Sequence, residues 1–300
     1  MSDAKTRIAK RRPRPKHVPV QQRDFRVCLR SNPCLQSPPS GLRNDIEHGL
    51  QFLRQSQRIL VLSGAGISIS AGMPPLKGRD GLAEYLSEDL LYKTDRPRWY
   101  EKMRELSVAA SKAQPTPFHE ILVSLGARLH QHVTQNIDGL DVKEPGMEPK
   151  TFALHGRLQN LRCIKNPGHT SNWSEAQPGE VCESCATEPD MRNPARQVRR
   201  NSHMRPNITL HRESVPEGTS ERLGQLLQDD WDLLVIAGTS LKIGSCYDFA
   251  RKLSNKIQAA GGCVIRIDPK AATKRVGQIV NIDLLLPADA VARRYSSMPS

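Results

Sequence analysis

Polar and small residues follow five apolar segments of the sequence, each of which has the length of a strand. Histidine, carboxylate and amide side chains in such positions could move protons or bind a substrate, and glycines and hydroxyls could receive a phosphate. Since parallel strands end at the same edge of a sheet, these segment ends predict one crevice. The residues are Gly64-Ala65-Gly66, Gln135-Asn136-Ile137-Asp138, His155-Gly156, Gly238-Thr239-Ser240 and Asp268.

The glycine pair after the first apolar segment is typical of a phosphate-binding turn. Gly64 and Gly66 would allow a tight turn and direct backbone amides at a pyrophosphate. The dinucleotide fingerprint G-x-G-x-x-G is incomplete, because Ile69 takes the place of its third glycine and glycine returns only at Gly72. A plain turn explains the pair as well, and a dinucleotide here would be held differently from that of a typical dehydrogenase.

The polar residues have structural explanations when each is taken alone. A single histidine at a strand end, such as His155, is usually a hydrogen-bonded structural residue, although imidazole titrates near neutral pH and suits general-base catalysis. The stretch "NIDG", which contains Asn136 and Asp138, is also a good turn sequence. The convergence of all these residues on one predicted edge favours the functional interpretation.

Three cysteines in an irregular segment are spaced for metal binding. Cys182 and Cys185 form a C-x-x-C pair, whereas Cys163 is followed three positions later by Asn166 instead of a second cysteine. Two complete pairs would indicate tetrahedral zinc, and Asn is a poor zinc ligand. The sequence predicts zinc on Cys163, Cys182 and Cys185, with His169 or water as the fourth ligand. A module held by packing alone is the alternative.

Alternation of strands and helices predicts the fold class. The apolar segments predict strands, and amphipathic segments between them predict helices. This order favours an α/β fold with a Rossmann-like, doubly wound parallel sheet and a small inserted zinc-binding module. Strands are predicted at 58–64, 129–135, 151–156, 232–238 and 263–268, and helices at 43–56, 99–113 and 245–260.

Changes in residue composition along the sequence divide the chain into segments. Residues 157–203 combine the three cysteines with Pro, Asn, Arg and Ser and predict the zinc module. Residues 41–156 and 204–290 predict the Rossmann-like, dinucleotide-binding domain. Residues 1–40 predict a basic, disordered tail, and residues 291–300 a flexible C-terminus.

Charge and composition narrow the functional classes. The net charge is +13, and residues 1–30 hold ten Lys and Arg against two Asp. Such a segment suits nuclear import or an auxiliary contact with nucleic acid, and a solubilising tail is the alternative. No apolar run approaches about 18 residues and no signal-peptide pattern occurs, so we expect neither membrane insertion nor secretion. Seven cysteines without a regular spacing favour a reducing compartment.

Taken together and in order, the motifs resemble those of the sirtuins, the NAD-dependent protein-lysine deacylases. They are "GAGIS…AG.P", "P.T.FH", "TQNIDGL", "LHG", the cysteine module, "RP…E" and "GTSLK", spread over residues 58–268, about 70% of the chain. "GTSLKIG" and "GGCVIRID" are most similar to the nuclear histone-deacetylase branch. The resemblance implies a large Rossmann-like domain, a small zinc module and a substrate tunnel between them.

The resemblance also implies a role for each residue at the predicted edge. His155 would be the general base, and Asn136 would lie near the reacting ribose. In the family reaction the acyl-lysine oxygen attacks C1′ of the nicotinamide ribose and nicotinamide leaves. The histidine then helps the 2′-oxygen attack the imidate, which gives free lysine and O-acyl-ADP-ribose, or O-acetyl-ADP-ribose from an acetyl-lysine. Contacts with NAD are implied for Gly64, Ala65, Gly66, Ser68, Lys77, Gln135, Asn136, Asp138, Gly238, Thr239, Ser240 and Asp268.

The sequence departs from the sirtuin pattern at positions that would face the cofactor or the peptide. Most sirtuins have Asp-Phe-Arg where this chain has Pro75-Leu76-Lys77, so a carboxylate, an aromatic face and a planar guanidinium are lost. Arg212 replaces a glycine ahead of Glu213, on the strand that pairs with the substrate peptide. Asp268 stands where the family usually has Asn, and its carboxylate can accept hydrogen bonds from ribose hydroxyls.

These observations predict an NAD-dependent protein-lysine deacetylase that acts on histones in the nucleus, with zinc as a structural metal. The departures at Leu76, Lys77 and Asn166 favour an alternative, a sensor or scaffold that binds NAD or ADP-ribose without turnover. Mono-ADP-ribosyl transfer or removal of longer acyl groups is a third possibility.

Overall fold

The computed structural model describes residues 42–76, 81–87, 91–173, 177–187, 202–216 and 218–298. The predicted basic tail and Lys77 lie outside these residues. None of the helices within them is both long enough and apolar enough to cross a bilayer.

The secondary structure follows the predicted alternation. The strands in chain order are β1 (Ile59–Ser63), β2 (Leu129–Thr134), β3 (Thr151–Ala153), β4 (Gly156–Cys163), β5 (Thr170–Asn172), β6 (Met204–Ile208), β7 (Leu233–Ala237), β8 (Cys263–Ile267) and β9 (Ile282–Leu284). The α-helices are α1 (Leu42–Gln55), α2 (Arg96–Lys112), α3 (Pro117–Ser124), α4 (Glu183–Thr187), α5 (Thr219–Gln228), α6 (Gly244–Ala259), α7 (Lys274–Gly277) and α8 (Ala288–Ser297). The predicted helices correspond to α1, α2 and α6, and the predicted strands to β1, β2, β3, β7 and β8.

The large sheet is parallel and has the strand order β3-β2-β1-β7-β8-β9. The chain builds outward from β1 through β2 to β3, and later from β7 through β8 to β9 on the other side. β1 and β7 pair in register, from Ile59 with Leu233 to Ser63 with Ala237. This order confirms the predicted doubly wound α/β sheet and places its topological switch point between β1 and β7.

Both faces of the large sheet are buried, which explains the continuous apolar sequences of its central strands. In β1, Ile59 and Val61 pack into one core with helices α1, α3 and α8, whereas Leu60 and Leu62 pack into a second core with α5 and α6. Each aliphatic side chain buried in this way contributes about 1.5–3 kcal/mol relative to an exposed one. The strand ends are therefore held by two cores at once.

The small sheet is antiparallel, with the strand order β5-β4-β6. Leu158 of β4 and Ile208 of β6 pack against Trp99 and Met103 of α2, both of which are fully buried. Near the other end of β4, Leu161 packs beside the cysteine cluster. The small sheet thus has an apolar core separate from the two cores of the large sheet.

Two boundaries in the structure differ from the predicted ones. Strand β6 pairs with β4, so the small sheet extends past residue 203, the predicted end of the module. The segment predicted to be flexible, 291–300, is helical as far as Ser297, because Val291 and Tyr295 are buried in the first core. The division of the chain into an NAD-binding domain and a zinc module stays a prediction.

The loops that follow β1 and β7 touch each other through glycines. A Cβ on Gly66 would lie 2.6 Å from the Cα of Gly238, and a Cβ on Gly64 would lie 2.8 Å from the Cβ of Thr239 and 3.1 Å from the carbonyl oxygen of Gly238. Gly238 has a φ of 61°, a left-handed conformation that glycine adopts without steric cost. The backbone of the neighbouring loop therefore explains why side chains are missing from this stretch.

The backbone amides of Gly64 and Gly66 themselves bind the neighbouring loop, and the predicted contact of this turn with a pyrophosphate stays a prediction. The Gly64 amide donates to the carbonyl of Ala237 at 3.0 Å, and the Gly66 amide donates to that of Gly238 at 2.8 Å. Both donors are used to join the two loops, so they are not available to a ligand. The glycines thus allow the close approach of the two loops, and their own two amides are used in that approach.

Substitution of Gly66 by Ala should destabilise the protein. The new Cβ would meet the backbone of Gly238, which cannot rotate away as a side chain could, and overpacking of this kind costs about 1–3 kcal/mol. The free energy of unfolding, measured with urea, should fall by that amount.

Gly244→Ala is the matched control. A Cβ at Gly244, the first residue of α6, would have no neighbour within 4 Å, so stability should stay equal or rise by up to about 1 kcal/mol. Equal stabilities of the Gly66→Ala and Gly244→Ala proteins would contradict the loop contact.

Candidate active site and metal centre

The predicted residues come together at the carboxyl edge of the large sheet. The amide of Gln135 donates to the carbonyl of Ser63 at 3.0 Å, and the amide of Leu154 donates to that of Thr134 at 2.8 Å. The amide of Gly238 donates to the last carbonyl of β8 at 2.9 Å. Because these bonds continue the pairing past the strand ends, the five predicted segment ends form one continuous edge.

His155 lies at this edge with one ring nitrogen fixed and the other available. Its Nδ1 lies 3.0 Å from the carbonyl oxygen of Gln135, and since a carbonyl can only accept, Nδ1 carries the proton. Burial lowers the pKa of His155 below its ordinary value, and the hydrogen bond to Gln135 opposes this shift more weakly. The imidazole is therefore neutral at pH 7, with Nε2 as an unprotonated base.

A sharp turn after His155 brings its side chain to the edge. Gly156 has a φ of 75°, and a Cβ there would lie 2.0 Å from the carbonyl oxygen of Asn207. The carbonyl of His155 accepts a hydrogen bond from the amide of Thr209 at 2.9 Å. The glycine of "LHG" thus permits the change from the large sheet to the small one directly beside the histidine.

Ser68 joins the two polar residues of "QNID". The side-chain amide of Asn136 donates to the Ser68 hydroxyl at 3.1 Å, and the same hydroxyl hydrogen-bonds the carboxyl of Asp138. Burial raises the pKa of Asp138, and hydrogen bonds from Leu140 and Ser68 oppose the increase. Ser68 is fully buried and fixes the positions of Asn136 and Asp138, and its contact with the cofactor stays a prediction.

Gln135 and Thr239 connect the two halves of the edge. The side-chain amide of Gln135 donates to Thr239 Oγ1 at 3.0 Å, and the amide of Leu241 donates to the same oxygen at 3.2 Å. Beside this bridge Ser240 and Gly66 are exposed. Ala65 is half-buried, so this part of the edge can be reached by a ligand.

Asp268 ends the edge on the far side of the switch point. Its carboxylate accepts from the backbone amide of Lys270 at 2.8 Å and lies 3.3 Å from the guanidinium of Arg266. The carboxylate is thus fixed at the mouth of the crevice on the side opposite His155.

Cys246, which the sequence did not single out, lies beside His155. Its Sγ is 4.0 Å from Nε2 of the imidazole. Burial raises the pKa of the Cys246 thiol to about 11, so it stays neutral and leaves the histidine without a charged neighbour on this side. In the sequence this residue is simply a buried position in the first turn of a helix, and no local signal connects it with the histidine.

A buried hydrogen-bond chain under the edge was also not predicted. His132 Nε2 lies 2.8 Å from the Ser63 hydroxyl, which donates to Thr134 Oγ1 at 3.0 Å, and that oxygen accepts from the Asn136 amide at 3.1 Å. Burial lowers the pKa of His132 to about 3, so it is a neutral structural residue although Asp141 lies 3.6 Å away. The chain fixes the backbone of Asn136 from below.

The three predicted cysteine ligands cluster together with His169. The four ligand atoms of Cys163, His169, Cys182 and Cys185 all lie within 4.8 Å of one another. Cys163 and Cys185 Sγ are 3.6 Å apart, and His169 Nδ1 is 3.3 Å from Cys185 Sγ and 3.6 Å from Cys182 Sγ. Tetrahedral zinc with bonds of about 2.3 Å to sulfur and 2.0–2.1 Å to nitrogen requires ligand separations of this size. The cluster fits zinc, with His169 as the fourth ligand.

Asn166 supports this histidine and is not a ligand itself. Its side-chain Nδ2 lies 2.8 Å from His169 Nε2, and its Oδ1 accepts from the amide of Gly168 at 3.1 Å. The contact turns Nδ1 of the ring toward the three thiols. The sequence offered His169 only as one alternative, because its spacing from Cys163 is longer than in a C-x-x-C pair and only the turn at 166–169 brings it back.

The chain matches the model of the Sir2 family over residues 64–245. It is 30% identical to the NAD-dependent protein deacetylase hst4 of Schizosaccharomyces pombe, over 77% of this chain and 64% of that protein. It is 29% identical to the NAD-dependent histone deacetylase HST4 of Saccharomyces cerevisiae, over 79% of this chain and 74% of that protein. The chain thus spans less than two thirds of the fission yeast protein.

Solved structures share the fold. A Sir2 homologue in complex with NAD superposes with a TM-score of 0.65 at 22% identity, over 83% of this chain and 93% of that one. A mutant Sir2 homologue in complex with ADP-ribose gives the same score at 23% identity, over 85% of this chain and 99% of that one.

Removal of the His169 imidazole should weaken zinc binding. His169→Ala leaves three thiolates, and Asn166→Ala removes the residue that orients the ring, a change that typically costs about 10–100-fold in metal affinity. Zinc content after dialysis against a chelator, and the absorption of a cobalt-substituted protein, measure the site.

The double variant Asn166→Cys/His169→Ala is the matched control. It supplies a fourth thiolate in a complete C-x-x-C pair, so zinc binding should return, with a cobalt spectrum typical of four sulfur ligands. If His169→Ala alone bound zinc as tightly as the unaltered protein, His169 would not be a ligand.

Proposed function

Because this chain belongs to the Sir2 family, we propose that it is an NAD-dependent protein-lysine deacetylase that acts on histones in the nucleus. The observation that carries the proposal is the state of His155. Its Nδ1 proton is held by the Gln135 carbonyl at 3.0 Å, and its base nitrogen is neutral at the edge where Asn136 and Asp138 are also fixed. The relatives named as histone deacetylases support the choice of substrate and compartment.

The residues on this edge suit the chemistry that the resemblance implies. The histidine has one nitrogen bound to a backbone carbonyl, so its ring cannot turn and its Nε2 can take a proton from a ribose hydroxyl. Asn136 is buried and held by Ser68, which suits a residue that must keep a fixed position beside a reacting sugar. Asp138, fixed by the same hydroxyl, would accept a hydrogen bond from the nicotinamide carboxamide.

The other half of the edge suits the remainder of NAD. Gly238, Thr239 and Ser240 line the turn after β7, and Ser240 is exposed. Hydroxyl groups at such a turn can donate hydrogen bonds to phosphate oxygens. These hydroxyls could bind the phosphates in place of the amides of Gly64 and Gly66, which are used between the two loops.

The segment that departs from the sirtuin pattern is described only as far as Leu76. Leu76 is half-buried and its carbonyl accepts from the amide of Ala83 at 3.0 Å. Lys77, a proposed cofactor contact, is outside the described residues.

His155→Ala should abolish the reaction without unfolding the protein. Loss of a general base typically lowers kcat by about 10²–10⁴-fold. The assay combines an acetylated histone peptide with saturating NAD, and mass spectrometry follows nicotinamide and O-acetyl-ADP-ribose. The unaltered protein should form both products.

His130→Ala provides the control for this substitution. His130 is an exposed histidine near the start of β2, at the opposite edge of the sheet, so its loss should leave turnover unchanged. Binding of NAD by the unaltered protein with no nicotinamide release over hours would replace the proposed enzyme by the sensor or scaffold. A protein that binds no nucleotide would exclude both.

The pH dependence of kcat/KM should report the neutral state of His155. A base works only when it is unprotonated, and burial lowers the pKa of His155 below its ordinary value of 6.5. Activity should therefore be full at pH 7 and should fall only as the pH drops through a midpoint below 6.5. An acid limb centred above pH 6.5, measured by nicotinamide release, would show that the imidazole is charged in the free enzyme.

A further inference from the structure

One backbone turn beside the candidate site holds a large side chain in an unfavourable conformation. The amide of Glu213 donates to the carbonyl of Leu210 at 3.0 Å, which closes a turn with His211 and Arg212 at its centre. Arg212 has a φ of 77°, in the left-handed region that favours glycine at this position of a turn. Strain of this kind persists where the surrounding structure fixes the backbone, and such residues cluster at binding sites.

Three contacts fix the backbone of this turn. The amide of His211 donates to the carbonyl of Leu86 at 2.7 Å. The carboxylate of Glu213 accepts from the amide of Leu210 at 2.9 Å and from the buried guanidinium of Arg205 at 2.6 Å. Relaxation of the strained residue would disrupt these contacts, so the fold imposes its conformation.

The turn lies next to the histidine of the candidate site. The amide of Thr209 donates to the carbonyl of His155 at 2.9 Å. Arg212 comes three residues after Thr209 and is exposed. Since three residues span at most about 11 Å, Arg212 lies at the surface within reach of a peptide that carries its lysine to His155.

The side chains around the turn carry an excess of positive charge. Arg205 and Arg162 lie 2.6 and 3.5 Å from the same carboxylate oxygen of Glu213, so two guanidinium groups share one carboxylate. Arg212 adds a third guanidinium on the exposed side. Three cations and one anion leave two positive charges, which attract an anionic group of a ligand.

We propose that Arg212 selects substrates in which a carboxylate lies close to the acetyl-lysine in the sequence. The acyl group has to lie at His155, whereas Arg212 is at the surface, so its guanidinium pairs with an Asp or Glu side chain flanking the lysine. This inference rests on the proposed function, since it takes the lysine to enter at His155. Within that function it favours lysines near acidic side chains over lysines in basic runs.

Turnover of three matched peptides tests the proposal. The two residues on either side of the acetyl-lysine are all Glu, all Gln or all Lys, and the peptides are otherwise identical. With saturating NAD, nicotinamide release should give kcat/KM values that decrease in this order, by about threefold at each step, the size of an exposed ion pair. The difference should lie in KM at an unchanged kcat, because the contact does not involve the reacting atoms.

Two variants reverse or remove the charge. Arg212→Glu should reverse the order of the three peptides. Arg212→Gly should bring their kcat/KM values within about twofold of one another. It should also fold, because glycine adopts a φ of 77° without steric cost, and thermal unfolding checks this.

Arg293→Glu is the matched control. Arg293 is an exposed arginine of α8, a helix that packs in the first core of the large sheet, and its substitution changes the net charge as much as Arg212→Glu does. The order of the three peptides should stay that of the unaltered protein, because salt screens exposed charges that lie far from the peptide. Equal effects of the two substitutions would assign the preference to net charge and overturn a contact at Arg212.

A carboxylate on the acyl group is the other source of the same chemistry. A peptide with succinyl-lysine between glutamines presents it, and Arg212→Gly should change the kcat/KM for this peptide by no more than about twofold. A loss confined to the succinyl peptide would place the contact on the acyl group and overturn the contact with a flanking residue.

The outcomes separate this inference from the proposed function. Equal kcat/KM values of the unaltered protein for the three peptides would overturn the selectivity and leave the deacetylase proposal standing. An order that persists in Arg212→Gly would assign the preference to Arg162 and Arg205 instead. An order that appears in kcat and not in KM would show that Arg212 acts through His155 and not on the peptide. Release of nicotinamide from none of the peptides would overturn both proposals.

Discussion

The contact between the loops after β1 and β7 is the constraint on which the candidate site depends. These two strands are neighbours at the switch point, and beyond them the chain turns to opposite sides of the sheet. Glycine at positions 64, 66 and 238 allows the loops to approach to backbone distance. The hydrogen bond from Gln135, the residue after β2, to Thr239 also connects the end of β2 to the loop after β7. The residues beside His155 and the carboxylate of Asp268 therefore belong to one rigid edge, although they come from distant parts of the sequence.

Burial, more than charge pairing, sets the protonation states at this edge. It is the largest cause of the lowered pKa of His155 and His132 and of the raised pKa of Asp138. For His155 the result is a neutral ring whose proton is fixed by a backbone carbonyl. For His132 the same physical effect gives a structural residue, because both of its ring nitrogens already lie against hydroxyl groups, Nε2 against that of Ser63 and Nδ1 against that of Thr151. Access to the base nitrogen, and not the residue type, distinguishes the two histidines.

The cysteine module shows how a lost ligand can be replaced close by in the chain. Asn166 cannot serve as a thiolate, but its side chain binds the ring of His169 and turns it toward the cysteines. His169 is further from Cys163 in the sequence than the second cysteine of a C-x-x-C pair would be, and the short turn at 166–169 brings its ring back to the cysteines. A site with three sulfurs and one imidazole keeps the tetrahedral ligand number that zinc requires. The apolar core around Leu161 holds the thiols on one side of the cluster.

The sequence by itself determined the α/β class, five strands of the large sheet and the residues at their ends, because apolar runs, glycines and polar strand ends are local signals. It also predicted three of the four clustered metal ligands. Only the tertiary structure decided what the glycines contact, that Ser68 is buried, that His169 completes the cluster, and that Cys246 and Arg266 stand beside His155 and Asp268. Strand β9, the pairing of β6 with β4 and the burial of α8 were likewise decided by packing. Each of these features depends on contacts between residues that are far apart in the sequence, and local sequence patterns contain no information about such contacts.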